Sequence, residues 1–254
     1  MKQPTWQLNG HRAALRLPGF AAQFDCHQPA LGLHALGHND QLLESEGWLR
    51  IELASIGDLD SASCEFYVRG DDLIVTYADT PSRPLRSQIY LRSATSLNAS
   101  TLATVELVAS IQTHLLDSHP ALAVYSRIAA ASVWRLTDAE AATWQRVALQ
   151  PGQSWAIDRE CGVGAFLLRL PGGQSYAEFV HPIDFQHTAL TMQEPAGAGW
   201  PQIELRHHLF SERLEKGVIL RARCLAALLP RENDLETAIH LYRAFSSAQA
   251  PLTT

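Results

Sequence analysis

The sequence predicts an all-β protein, a large antiparallel β-sandwich with one C-terminal helix. Three observations carry this expectation. Apolar and polar residues alternate with period two along most of the chain, turn signals recur at short intervals, and helical spacing is sustained only near the C-terminus.

In chain order, Leu49-Arg50-Ile51-Glu52-Leu53 alternates apolar and charged residues, as a strand with one wet face does. The segment 64–77 reads as a hairpin about Gly70-Asp71, with Val68 opposite Leu73, Phe66 opposite Val75 and Cys64 opposite Tyr77. All three pairs fall on one face, and glycine at the first turn position suits a type II′ turn. Further strands are expected at 87–93, 103–114, 121–128, 154–158, 165–170, 175–180, 189–191, 202–210 and 217–229, many of them separated by turns such as Pro151-Gly152 and Pro171-Gly172-Gly173. The longest of these suit a curved sandwich better than a small barrel. Thr137-Asp138-Ala139-Glu140 reads as the start of a short helix ending near Trp144. Asn233-Asp234-Leu235-Glu236 reads as an N-cap with an acidic first turn, and Leu235, Ala238, Ile239, Tyr242 and Phe245 follow helical spacing, so 234–246 is expected to be an amphipathic helix docked on the sheets.

At 254 residues, with no linker, repeat or low-complexity segment, one domain spanning 1–254 is the simplest organisation. Hydrophobic residues make up 46% and charged residues 18%, which excludes a disordered or collagen-like chain. Twenty Lys and Arg against 26 Asp and Glu give a net charge of −6 with no basic block, so nucleic acid is not an expected partner. The first residues hold no apolar run of signal-peptide length and no stretch approaches a membrane span, so a cytoplasmic location without membrane contact is expected. Cys26, Cys64, Cys161 and Cys224 are far apart, which excludes a C-x-x-C centre, and buried free thiols are expected.

The eleven histidines fall partly into clusters. His27, His34 and His38 lie in a stretch rich in Pro and Gly that reads as a loop over the sandwich end. His181, Asp184 and His187 are spaced three apart at a strand end, where a rigid sheet displays functional groups. Such a trio can hold a divalent metal, or Asp184 can orient a histidine for acid–base work; alternatively Pro182 bends the chain and Asp184 caps the turn. Farther on, Glu204, Arg206 and His208 share one strand face, and Leu205, His207 and Leu209 the other. Adjacent His207 and His208 therefore point apart and make a poor metal pair, while Glu212 or Glu215 could approach a histidine across a hairpin turning near Lys216-Gly217. Arginines on predicted strands (Arg86, Arg92, Arg127, Arg169, Arg206, Arg221 and Arg223) offer planar forks for sugar hydroxyls or carboxylates. Of the tryptophans that could stack on a pyranose, Trp200, between Gly199 and Pro201, is the least suited to a core. Nucleophile-elbow, P-loop and dinucleotide-binding signatures are absent.

The many strands, the long ones late in the chain, and the segment Glu212-x-x-Glu215-Lys216-Gly217-Val218-Ile219-Leu220-Arg221-Ala222-Arg223 resemble the galactose-mutarotase-like β-supersandwich group. The resemblance is architectural and covers most of the length. It implies carbohydrate binding or sugar-ring chemistry on a concave sheet face. Aldose epimerases of that group use a histidine acid and a glutamate base to open and reclose the ring. Here that implies His181 with Glu212 or Glu215 as catalytic residues; the substrate-binding candidates read from the residues themselves are Arg206, His208, Trp200 and Asp184. The expected function is recognition of a carbohydrate or related polar small molecule, with an aldose-epimerase-like isomerase as its enzymatic form and no cofactor or metal. A non-catalytic structural or protein-interaction sandwich is the alternative, and a metal-dependent β-fold enzyme the second alternative. The sequence sets no oligomeric state.

Overall fold

The computed structural model of the chain describes residues 5–53, 64–81, 83–93, 100–194, 199–210 and 212–249. The first strands form a meander of their own: β1 (Trp6–Asn9), β2 (Arg12–Leu17), β3 (Phe20–Asp25), β4 (His34–His38) and β5 (Gln41–Leu42). A single 3-10 turn, Pro29–Leu31, joins β3 to β4. The expected loop around His27, His34 and His38 is thus corrected, since His34 and His38 are the two ends of a strand. Alanines kept this sheet inconspicuous, being weak strand formers, yet Ala13, Leu15, Ala22 and Phe24 still bury a period-two face.

The chain then shuttles between two further sheets. β6 (Ser45–Leu53) starts one, and β7 (Cys64–Arg69), β8 (Asp72–Tyr77), β9 (Leu85–Ser93) and β10 (Ala103–Thr113) run as a meander in the other. β11 (Leu122–Ala129) returns beside β6, and β12 (Ser132–Asp138) and β13 (Thr143–Val147) form an edge hairpin. β14 (Ser154–Asp158), β15 (Ala165–Arg169), β16 (Gln174–Val180), β17 (His187–Gln193), β18 (Gln202–His208) and β19 (Ile219–Pro230) follow, and α1 (Asp234–Ser247) comes last. The result is a nine-stranded sheet in the order β13-β12-β15-β16-β19-β10-β9-β8-β7 and a five-stranded sheet in the order β14-β17-β18-β11-β6, both antiparallel. The N-terminal meander is tied to the five-stranded sheet through the Leu33–Trp48 bridge and shares the same core.

Period-two patterning decides what each strand buries. Along β16, Tyr176 and Val180 enter the main core, whereas Ala177 and Phe179 face α1 in a second core with Leu225, Ala227, Leu229, Ala238, Tyr242 and Phe245. Strands covered on both faces lose their polar alternation, which is why β19 reads as a near-continuous apolar run. The β7–β8 hairpin has the expected register, from Cys64 opposite Tyr77 to Arg69 opposite Asp72, with Gly70 at φ +60° and Asp71 outside the positive-φ residues, as a type II′ turn requires.

Several local expectations are corrected. Residues 137–144 form no helix. Asp138 closes β12 and its carboxylate accepts the N–H groups of Glu140 and Ala141, an Asx turn that feeds β13. Asn233 takes a left-handed conformation without a side-chain cap, and the buried Asp234 instead accepts Nε and Nη2 of Arg169, the Ser175 hydroxyl and the Leu235 N–H. β18 and β19 lie in different sheets and so form no hairpin with each other. All four cysteines are free, Cys26 and Cys224 buried and Cys161 exposed. Burial pushes the Cys26 thiol up to about 12 and the Cys64 thiol up to about 11. Among the described residues no helix is long and apolar enough to cross a membrane, and no three His, Cys, Asp or Glu side chains are placed to hold a metal.

Candidate functional site

Register alone places a polar lattice on the outer face of the five-stranded sheet. Reading across it, Glu52, Ala123, His208, His187 and Asp158 fall in one row, and Arg50, Tyr125, Arg206, Ala189 and Ala156 in the next. Arg127, Glu204 and Thr191 make the third row. Opposite charges therefore meet across the strands, along them and on the diagonal. Arg127 Nε donates to Glu204 Oε2 at 2.7 Å, Arg206 Nε to Glu204 Oε1 at 3.0 Å, and Arg206 Nη1 to Glu52. Glu46 lies 3.3 Å from Arg127 and 3.4 Å from Arg50. Three guanidinium groups surround the Tyr125 ring, Arg206 at 4.6 Å, Arg50 at 4.9 Å and Arg127 at 5.9 Å from its centroid.

The electrostatics follow from these contacts. Burial would raise the Glu204 carboxyl, but the hydrogen bonds from Arg127 and Arg206 outweigh it and hold the group below its ordinary range. Glu204 is therefore a carboxylate whose two oxygens are already engaged. His208 is pushed the other way from a cation: desolvation first, then the neighbouring His187 and Arg206, lower its pKa and favour the neutral ring. Its ring centroid lies 5.3 Å from that of His187. A neutral imidazole offers both a donor and an acceptor to a hydroxyl.

A buried polar network beneath this face fixes it. β6 carries a bulge where Arg50 pairs with Tyr125 but Gly47 pairs with Arg127. Trp48 and Leu49 both turn into the core there, and Leu49 sits at φ +50° with its N–H donating to Ser126 Oγ at 2.9 Å. Ser126 and Tyr176 both donate to Glu178, which reaches across from the nine-stranded sheet. The other carboxylate oxygen of Glu178 lies 2.8 Å from His207 Nε2, and His207 Nδ1 is 2.7 Å from Thr188 Oγ1. His207, Glu178, Ser126 and Thr188 are all fully buried.

The residues singled out from sequence divide into two groups. Arg206 and His208 stand side by side in the lattice, with Glu204 on the same strand face as expected. His181, Asp184 and Glu212 lie elsewhere, His181 against α1 and the two carboxylates around a hollow. His181 is buried, its Nε2 3.1 Å from the Ser246 carbonyl and its ring edge-on to Phe245. Burial, followed by the Arg223 charge, lowers its pKa. Asp184 accepts the Arg223 N–H at 3.0 Å and joins Glu212 in lining a hollow of about 200 Å³ with Ile183, Phe210 and Arg221. Glu215 is exposed after the Leu214–Ser118 bridge, and Trp200 is exposed ahead of β18. Sequence reasoning missed Tyr125, Arg50, Glu52 and Glu46. The Arg50-x-Glu52 alternation was visible, but nothing local shows that β11 lies between it and β18.

Comparison with solved structures decides the architecture. A protein of Escherichia coli K12 assigned as an aldose 1-epimerase superposes with a TM-score of 0.59 over 85% of this chain and 98% of that one, at 8% identity. The fold is galactose-mutarotase-like. A Klebsiella pneumoniae protein assigned as an aldose 1-epimerase matches with a TM-score of 0.56 over 95% of this chain and 86% of that one, at 10% identity. A Salmonella typhimurium protein assigned as a mutarotase matches with a TM-score of 0.55 over 89% and 96%, at 9% identity. No protein-family model matches the sequence, and no curated protein does. The supersandwich expectation therefore holds at the level of fold, and fold alone assigns no activity.

Proposed function

We propose that the outer face of the β14-β17-β18-β11-β6 sheet binds a carbohydrate or a related polar small molecule. The observation that carries this reading is the lattice around Tyr125. Three planar guanidinium forks and three carboxylates are held by one another on a rigid sheet, with neutral His208 beside them. Arg50, Arg127 and Arg206 balance Glu46, Glu52 and Glu204 in charge, so the ligand that fits is neutral and rich in hydroxyls. Its hydroxyls donate to carboxylate oxygens and accept from guanidinium N–H groups. Ala123, Ala189 and Ala156 leave room above the sheet for a ring to approach.

The enzymatic form of this reading is an aldose-epimerase-like isomerase. Epimerisation needs a base at the anomeric hydroxyl and an acid at the ring oxygen. On this face Glu204 and His208 take those roles. The expected pairing of His181 with Glu212 or Glu215 is the other placement: Glu212 lines the hollow with Asp184, while His181 is buried against Phe245.

The test is isothermal titration of neutral monosaccharides, combined with polarimetric anomer interconversion. Arg206→Ala is expected to weaken sugar binding by about tenfold or more, with the fold retained. If interconversion is seen, Glu204→Gln abolishes it when the lattice is the catalytic site, whereas His181→Ala or Glu212→Gln does so when the hollow is. No binding of any neutral sugar would overturn the proposal and favour the protein-interaction alternative.

A further inference from the structure

We infer that the opposite, nine-stranded sheet carries a separate binding site for a small oxyanion, a carboxylate or phosphate group, on its outer face between β9, β10 and β19. Six neighbouring positions of three strands build it. Arg86, Gln112 and Ile219 stand in one row, and Gln88, Ser110 and Arg221 in the next. Ser110, the shortest side chain, sits at the centre of the second row. The longer side chains around it wall a hollow of about 210 Å³.

The polar lining is rich in donors and holds no carboxylate. Arg86 and Arg221 contribute guanidinium forks, Gln88 and Gln112 amides, and Ser110 a hydroxyl. The groups are also pre-set. Tyr90 donates to Gln88 Oε1 at 3.0 Å and Gln88 Nε2 donates to Thr76 at 3.1 Å, which fixes the amide and leaves its second N–H free. Arg221 Nε donates to Ser110 Oγ at 3.4 Å, which leaves the serine proton to be donated elsewhere.

The contrast with the other strand arginines is what points to an anion. Arg92 is paired with Asp72, Arg127 with Glu204, Arg206 with Glu52 and Arg169 with Asp234. Among the described residues Arg86 forms no ion pair. Asp184 and Glu212 line a second hollow that shares Arg221 with this one. A hollow whose own lining holds no carboxylate, with the Arg86 fork on it, suits a bidentate oxyanion.

Inorganic phosphate and succinate are the probes, because neither presents a sugar ring to the other sheet. Isothermal titration at low salt is expected to show binding of at least one. Arg86→Glu, at an exposed position where the fold does not depend on the side chain, should weaken it by about tenfold or more. Arg206→Ala, on the opposite sheet, should leave it unchanged, so this site stands or falls independently of sugar recognition. Binding of phosphate alone or succinate alone would assign the preferred oxyanion. Absence of binding by both, or equal binding by Arg86→Glu, would overturn the inference.

Discussion

Glu204 shows how much a single residue's meaning depends on its neighbours. An isolated carboxylate on a strand face titrates near 4.5, but two guanidinium donors stabilise the charged form in the fold and lower that value. A depressed folded pKa means that the stabilisation is complete above 4.5 and is lost as pH falls through the lower folded value. Glu204→Gln should therefore flatten the acid limb of a urea-midpoint against pH profile, and lower stability at neutral pH by about 2 kcal/mol. His181 teaches the converse: a histidine near a strand end with an aspartate three residues on had the spacing of a reactive pair, and its ring is packed against Phe245. Local spacing cannot reveal which histidine a helix more than fifty residues later will cover.

At the scale of elements, the strands that alternate cleanly were legible. The β7–β8 register and the two faces of β18 follow from period two and one glycine. The N-terminal meander was not legible, because its alanines and short runs resemble loop composition. The lattice was legible only in part: Arg127 and Glu204 are separated by 77 positions, and their meeting is a product of sheet order. The 3-10 turn Pro29–Leu31 has a defined task here, since the Ala30 carbonyl accepts Arg50 Nε at 2.6 Å. Gly32 ends that turn at φ +61°, where an added Cβ would meet the Trp48 carbonyl at 2.4 Å. Gly32→Ala combines a left-handed conformation with a backbone clash and should cost about 2 kcal/mol or more. Because it displaces the turn that holds Arg50, thermal melting and sugar titration should fall together in this variant.

For the whole molecule, the two sheets are joined by more than apolar contact. Glu178 of the nine-stranded sheet is the partner of Ser126 and His207 of the five-stranded one, in a core otherwise built from Leu, Val, Ile and aromatic side chains. A buried pair of this kind adds little over an apolar core, but removing one member leaves the other desolvated without compensation. Glu178→Ala should lower stability by about 3–5 kcal/mol in urea titration, and Glu178→Gln by less, because the amide keeps an acceptor for the hydroxyls. Since Ser126 also holds the bulge at Leu49, the Glu178→Ala variant should lose sugar affinity without any change at the outer face. The sequence could not announce this network, because buried Glu and His are indistinguishable in composition from exposed ones.

The position of β19 governs the order in which the protein can be made. β16-β15-β12-β13 and β10-β9-β8-β7 meet only through that strand. Until the translating ribosome releases residues 219–230, both halves are separate sheets with open edges, and neither has its final neighbour. From the emergence of β16 until β19 follows, the nascent chain therefore carries two unpaired β edges, at β10 and β16. Chaperone engagement and the hazard of edge-to-edge association are concentrated in that interval, and one late insertion ends both.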